Sequence, residues 1–506
     1  MSAPESPAYT ELIGHLQKTS LLASCAHLLG WDEQTYLPTQ GAELRADQMA
    51  LLSGMVHERT TSPRIGELLS QLENDSQFNN ESPASANVRE IRRTYERATR
   101  LSQKLVEELS RVTTLSQQAW IEARQKRDFA TFQPWLEKIV ALKREEATAV
   151  GYGDGLPYDA LLDDYEPGMT ATKVQEAFSP LRDELVQLVQ RIAGSTHKPD
   201  RSIITSSYPV AAQRSFGRQA AEAIGFDFSA GRLDEAAHPF CSGIGPGDCR
   251  LTTRYDENYF PQALFGTLHE AGHGLYEQGL NRNAFGTAMG TAASLGIHES
   301  QSRMWENFVG RSRAFWQHFI IPAQRTFAPV LDDVSLDDFY AAINIVEPSF
   351  IRVEADEVTY NLHVMLRFEL EQPLISGDLQ VADVPAVWNE TFEKYLGLTP
   401  PDDAVGCLQD VHWSAGLIGY FPTYALGNMY AAQFFNAAQQ ELGDLSEMFA
   451  RGEFAPLKDW LRTNIHERGH QFQADRLLEV VTGEKLSHQP LTDHLKRKFG
   501  ALYGLD

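Results

Sequence analysis

The chain has 506 residues, 42% hydrophobic and 22% charged, enough apolar material for a sizeable core. Its 68 acidic and 44 basic side chains leave a formal net charge of −24 at pH 7, which argues against nucleic acid or an anionic membrane as partner. The same negative field does not attract acidic substrates, so recognition of a carboxylate has to come from local arginines.

The first residues carry neither a basic n-region nor an apolar h-region, so no secretion signal is expected and the protein is predicted to be cytoplasmic. Its four cysteines, Cys25, Cys241, Cys249 and Cys407, form no C-x-x-C pair and are expected as reduced thiols. Residues 7–150 read as helix throughout. Ser82-Pro83 opens a long amphipathic stretch to about Arg127, with Val88, Ile91, Tyr95, Ala98 and Leu101 on its apolar side. The glycines of 151–155 break the pattern, and 170–192 and 210–224 are further helices. Residues 237–255 are rich in Gly and Pro and end in an alternating run, the best strand candidate in the chain. A sheet edge there would suit an extended peptide backbone.

Phe260–Gly279 reads as one helix. Pro261 suits its first turn, Leu264, Phe265, Leu268 and Leu275 have helical spacing, and Gly279 is a candidate left-handed stop. His269 and His273 are four apart, so both imidazoles leave one face and can share one metal. Glu270 sits about 100° round the helix, within reach of a metal-bound water without being a ligand. Gly279-Leu-Asn-Arg follows where a third-His zincin would need His-x-x-Gly-x-x-His, so that class is excluded. A carboxylate from a second helix is the other way to complete a catalytic zinc. The Gly/Ala/Thr/Ser-rich residues 281–296 let the chain reverse, which places Glu299 in the first turn of that helix. Glu299 is preferred on position, with His298 and Glu306 as rivals.

Helices resume after Glu299, with starts at Ser335-Leu-Asp-Asp338 and Asp383-Val-Pro385. Trp413–Gln440 carries no charge, yet its Gly, Pro, Asn and Gln residues make it too polar for a membrane span; it reads as buried helix and turn. There is no repeat and no linker. The expected fold is mostly α with a small β-sheet, a single domain over 1–506, arranged as two helical lobes around a groove.

Peptide hydrolysis also needs an oxyanion donor and a grip on substrate. His412, Tyr420 and Tyr424 in the neutral run are the donor candidates. Arg250, Arg254, Arg303 and Arg352 could each fork onto a carboxylate, and spacing does not choose among them. Two other readings stay open: an oligopeptidase cutting inside short peptides, and a non-catalytic helical scaffold with a structural zinc.

Six ordered motifs narrow these readings. They are His238-Pro-Phe240, Asp248-x-Arg250-x-Thr252, His269-Glu-x-x-His273, His298-Glu-Ser300, Ile351-Arg-x-x-Ala-Asp356 and Gly406-x-x-Gln-Asp-x-His-Trp413. With them, and over nearly its whole length, the chain resembles the carboxypeptidase Taq family of zinc metallocarboxypeptidases. The resemblance implies a helical fold with a deep groove, similar to the neurolysin and angiotensin-converting-enzyme group, and a homodimer. It implies His269, His273 and Glu299 as ligands of zinc (cobalt or manganese being possible substitutes) and Glu270 as base. Arg250 and Arg352 would bind the terminal carboxylate of a peptide substrate, with His238 and Tyr424 also at the substrate, while His412 and Tyr420 would stabilise the oxyanion. It further implies release of single C-terminal residues of broad type, with proline a poor one.

Overall fold

The computed structural model describes residues 6–505. Most of them are helical, and among them a single three-stranded sheet interrupts the helices, as the sequence leads one to expect. The described contacts divide the chain into two compact units. The first gathers Met1–Thr99, Asp200–Ile343 and Phe434–Glu484; the second gathers Arg100–Pro199, Asn344–Gln433 and Lys485–Asp506.

In the first unit, Pro7–Thr35 starts at Ser6, whose hydroxyl accepts from the Tyr9 backbone N–H. Its Tyr9 and Leu12 pack with Ile65, Leu68, Leu69 and Leu72 of the helix Pro63–Glu73, whose apolar residues recur at i, i+3, i+4 and i+7. The long amphipathic stretch is not one helix. It breaks at Ser102 into Pro83–Arg100 and, already in the second unit, Gln103–Lys126; Ser102 has extended backbone and caps the second of these helices through the Leu105 N–H.

The glycine-rich segment makes two strands, β2 (Cys241–Gly245) and β3 (Asp248–Thr253), and a third, β1 (Gly231–Glu235), precedes it. Their order is β1-β3-β2, with β3 parallel to β1, antiparallel to β2 and bulged against it at Gly243/Gly245. The alternating run is therefore the central strand β3, and two neighbours with no such pattern flank it. Cys241 and Cys249 stand as thiols with their sulfurs 3.6 Å apart.

The motif helix runs over the predicted Phe260–Gly279, with Pro261 in its first turn. Its end differs from expectation. Gly279 is not left-handed; the helix stops because Leu280 turns extended, at φ −61°, ψ 150°. Glycine is required at 279 because a Cβ there would run into the His466 ring. Two short 3₁₀ turns within 281–296 then reverse the chain into Leu295–Arg303, capped by Ser294. Glu299 is the fifth residue of this helix, just beyond the first turn where the sequence places it. The helix continues as a π-helical turn over Met304–Gly310.

In the second unit, Thr359–Ser376 is buried on nearly all sides, with Tyr158 and Phe178 packed edge-on against its Phe368. The predicted starts at Ser335 and Asp383 both precede helices, Leu336–Ala342 in the first unit and Val384–Leu396 in the second, the former capped by the Ser335 hydroxyl. The neutral run becomes turns followed by the helix Pro422–Leu442, largely buried. No helix among the described residues is long and apolar enough to cross a membrane.

Candidate metal and substrate sites

The motif helix lies backbone to backbone on the Glu299 helix. A Cβ on Gly272, the glycine of His-Glu-Ala-Gly-His, would stand 2.6 Å from both the Gln301 carbonyl oxygen and the Ser302 Cα, so a side chain there would hold the helices apart. With no Cβ, Glu299 Oε2 comes 3.6 Å from His269 Nε2 and 3.4 Å from His273 Nε2. Donors around a tetrahedral zinc at about 2.1 Å stand roughly 3.4 Å from one another, so these three atoms fit such an ion. Among the described residues they form the one His/Cys/Asp/Glu group able to hold a metal, and they number three, where a closed structural site uses four.

The rivals for third ligand occupy other places. Glu306, carried by the π turn, reaches His269 from behind, with Oε2 2.9 Å from Nδ1. A carboxylate can only accept, so Nδ1 carries the hydrogen, and in the neutral ring that leaves the Nε2 lone pair on the side of Glu299. His298 lies with Nδ1 2.6 Å from His273 Nδ1 and Nε2 2.9 Å from Glu277 Oε1. Arg303 donates to Glu299 Oε1 at 2.7 Å and to Glu306 Oε2 at 3.3 Å, and Arg311 donates to Glu306 Oε1.

Charge is distributed unevenly here. Burial lifts the Glu270 carboxyl to about 7, the range in which a general base can both take and return a proton. Burial, reinforced by the neighbouring His298, depresses His273 to about 4 and keeps it a neutral donor. Burial also pushes His269 down, but Glu299 and Glu306 outweigh it and raise it, so positive charge is favoured at this spot. A divalent cation supplies that charge as well as a proton does. Glu299 and Glu306 stay ionised despite burial: Arg303, His269 and His273 hold the first well below the carboxylate range, and His269, Arg303 and Arg311 hold the second at about 2.

Also in the first unit, Arg250 projects from β3. Asp248 accepts from its Nε and Nη2, both at 2.8 Å, and the guanidinium lies 4.2 Å from the Trp31 ring centroid. His238 is exposed in the loop between β1 and β2.

The second unit brings Arg352, His412, Tyr420 and Tyr424 together. Buried Arg352 donates to Asp410 Oδ1 from Nε at 3.0 Å and from Nη2 at 2.8 Å, and to the Tyr360 hydroxyl from Nη1. The other oxygen of Asp410 accepts from Arg367 Nε at 2.7 Å. Asp410 is buried too, but two guanidiniums hold it far below the usual carboxylate range. His412 Nε2 is 3.2 Å from the Tyr424 hydroxyl, and the Tyr420 ring packs 5.4 Å from the His412 ring. Burial depresses His412 to about 4, so it is neutral near pH 7. Asp410, Arg367 and Tyr360 carry no role in the sequence reading. Asp410 lies inside a quoted motif, two residues before His412, and was open to notice; Arg367 and Tyr360 sit in an apolar helix whose pattern gives no sign of them.

The family model for carboxypeptidase Taq (M32) metallopeptidases matches residues 11–499. Thermostable carboxypeptidase 1 of Thermus thermophilus is 50% identical, over 99% of this chain and all of that protein. Carboxypeptidase 1 of Bacillus subtilis is 40% identical, over 97% and 98%. The crystal structure of the M32 carboxypeptidase from Deinococcus radiodurans superposes with a TM-score of 0.95 at 40% identity, covering 99% of this chain and all of that one.

Proposed function

Since the chain belongs to the carboxypeptidase Taq (M32) family of metallopeptidases, and so is a metallocarboxypeptidase using a divalent metal, we propose that it releases single C-terminal residues from peptides at a zinc held by His269, His273 and Glu299. The observation that carries this reading is the approach of one carboxylate oxygen, from Glu299, to two imidazole Nε2 atoms at 3.4 and 3.6 Å, beside a second buried carboxyl, Glu270, that is not among them. A bound ion of this kind polarises a carbonyl and makes water acidic enough to ionise near neutral pH.

In this proposal the Glu270 carboxylate takes a proton from the attacking water and passes it to the leaving amine. Arg250 and Arg352 bind the substrate's terminal carboxylate, with His238 and Tyr424 assisting. Each arginine is oriented by an aspartate, Asp248 or Asp410, which takes only two of its five N–H groups. Neutral His412 and Tyr420 donate to the oxyanion. Cobalt or manganese would suit the same donors. The resemblance extends the proposal to one catalytic domain, a cytoplasmic homodimer, broad C-terminal specificity and poor release of proline.

The test is mass spectrometry of a peptide mixture incubated with metal-loaded enzyme. C-terminal ladders are expected from free acids, and none from C-terminally amidated copies. Glu270→Gln should keep its metal and lose at least about 100-fold in turnover. Amides cut as fast as acids would remove the carboxylate grip, and a fast Glu270→Gln enzyme would remove the base.

A further inference from the structure

Each metal-facing imidazole is backed by a different partner. Glu306 backs His269 directly. His273 is backed through His298, whose two ring nitrogens meet His273 Nδ1 at 2.6 Å and Glu277 Oε1 at 2.9 Å. The Glu277 carboxylate has no hydrogen to give, so His298 Nε2 carries one and donates it. A neutral His298 then presents a lone pair at Nδ1, and His273 Nδ1 has to be the donor across that contact. His273 Nε2 is left with its lone pair, directed at the side where Glu299 Oε2 stands 3.4 Å away.

Three stretches of chain build this arrangement. Glu277 is one turn beyond His273 on the motif helix, and His298 comes from the facing helix, where the Tyr276 ring stacks on it at 5.2 Å and 28° and holds its plane. The third stretch is β2. A Cβ on Gly243 would collide with the Glu277 carboxylate, so the glycine keeps that space open.

We infer that His298 and Glu277 are positioning residues that fix His273 in the tautomer a divalent cation requires, with Gly243 reserving room for the Glu277 carboxylate. This rests on the proposed reading of His273 as a metal ligand. Neither residue touches substrate; both act through His273.

The experiment titrates Zn²⁺ alone, against a competing chelator, into the metal-free full chain. Four variants accompany the wild type: His273→Ala, Glu277→Leu, Glu277→Gln and Gly243→Ala. Glu277→Leu should weaken zinc by about 10- to 100-fold, the usual loss when a ligand histidine's outer partner is removed. Glu277→Gln should bind close to wild type, because its carboxamide oxygen still accepts from His298. Gly243→Ala removes no charge and no hydrogen-bonding group, yet should weaken zinc by displacing the Glu277 carboxylate, and it decides the matter if Glu277→Leu does not fold.

Wild-type affinity in Glu277→Leu or Gly243→Ala, with zinc lost in His273→Ala, would overturn the relay and leave the ligand reading standing. Glu277→Gln as weak as Glu277→Leu would overturn it too, since charge rather than an acceptor would then be at work. Unchanged zinc in His273→Ala would instead overturn the ligand reading itself.

Discussion

Two glycines of the motif helix make opposite demands on the same methyl group. A Cβ on Gly272 would meet the backbone of Gln301 and Ser302 at 2.6 Å, and backbone cannot move aside as a flexible side-chain end can. On Gly266 the nearest atom is the Thr253 hydroxyl oxygen at 3.8 Å, ordinary contact. Gly266→Ala should therefore stabilise the protein by roughly 0.5–1 kcal/mol, because alanine loses less entropy in a helix. Gly272→Ala should cost about 1–3 kcal/mol as overpacking, and should weaken zinc because Glu299 rides on the displaced helix. Thermal melting with and without zinc checks both; a stabilised Gly272→Ala would show that close helix contact does not set the site. At this scale the sequence was informative where residues repeat with helical spacing. The pairing of His269 with His273 was legible from four-residue spacing alone, and Glu270 was singled out by its place one residue on, whereas the contacts of Glu306 and His298 were not legible. Spacing shows that a carboxylate or an imidazole can arrive, but not which nitrogen it meets, and both residues sit at Nδ1 atoms rather than beside the Nε2 pair.

Among the elements, the helices were legible and their interruptions less so. The apolar pattern of 83–127 runs through Leu101 without a proline or glycine, yet the chain leaves the helix at Ser102, at φ −68°, ψ 145°. Serine can do this because its hydroxyl accepts from the Leu105 N–H at 3.2 Å, satisfying a donor that would otherwise lack a partner. The sign of one substitution separates the two descriptions. At a cap, Ser102→Ala should cost about 1 kcal/mol. In a continuous helix it should gain up to roughly 0.5 kcal/mol, alanine being the better helix former. Urea denaturation distinguishes them, and a more stable Ser102→Ala would restore the single helix. β1 escaped notice for the reverse reason. Gly-Arg-Leu-Asp-Glu has no buried face to alternate, and what makes it a strand is pairing with β3, together with Arg232 and Asp234 engaging Tyr36, just past the end of the helix Pro7–Thr35. Long-range pairing of that kind leaves no local pattern to read.

For the molecule as a whole, an excess of 68 acids over 44 bases makes pH a lever on stability, because self-repulsion grows as carboxyls ionise. Most of that effect is spread over the surface, but one group concentrates it. Glu371 is completely buried and ties three stretches of the second unit together. It accepts from the Tyr158 hydroxyl at 2.7 Å, the Trp413 indole at 2.9 Å and the Gly419 N–H at 3.0 Å. Burial nevertheless dominates and lifts its carboxyl to about 7, against an ordinary 4.5. The folded chain thus holds this proton over a range in which the unfolded chain has released it. The stability it contributes is complete below about pH 4.5 and is lost as pH rises through 7. Glu371→Gln cannot titrate and changes the net charge by one, so the difference between wild type and variant cancels the diffuse repulsion. Whatever constant offset the carboxamide introduces, wild-type stability relative to Glu371→Gln should decline by roughly 2 kcal/mol between pH 5 and pH 8, the linkage expected for that shift. Urea unfolding free energies at the two pH values measure it. A difference that stays constant would mean the three donors keep Glu371 ionised throughout, and that hydrogen bonding rather than burial governs this carboxyl.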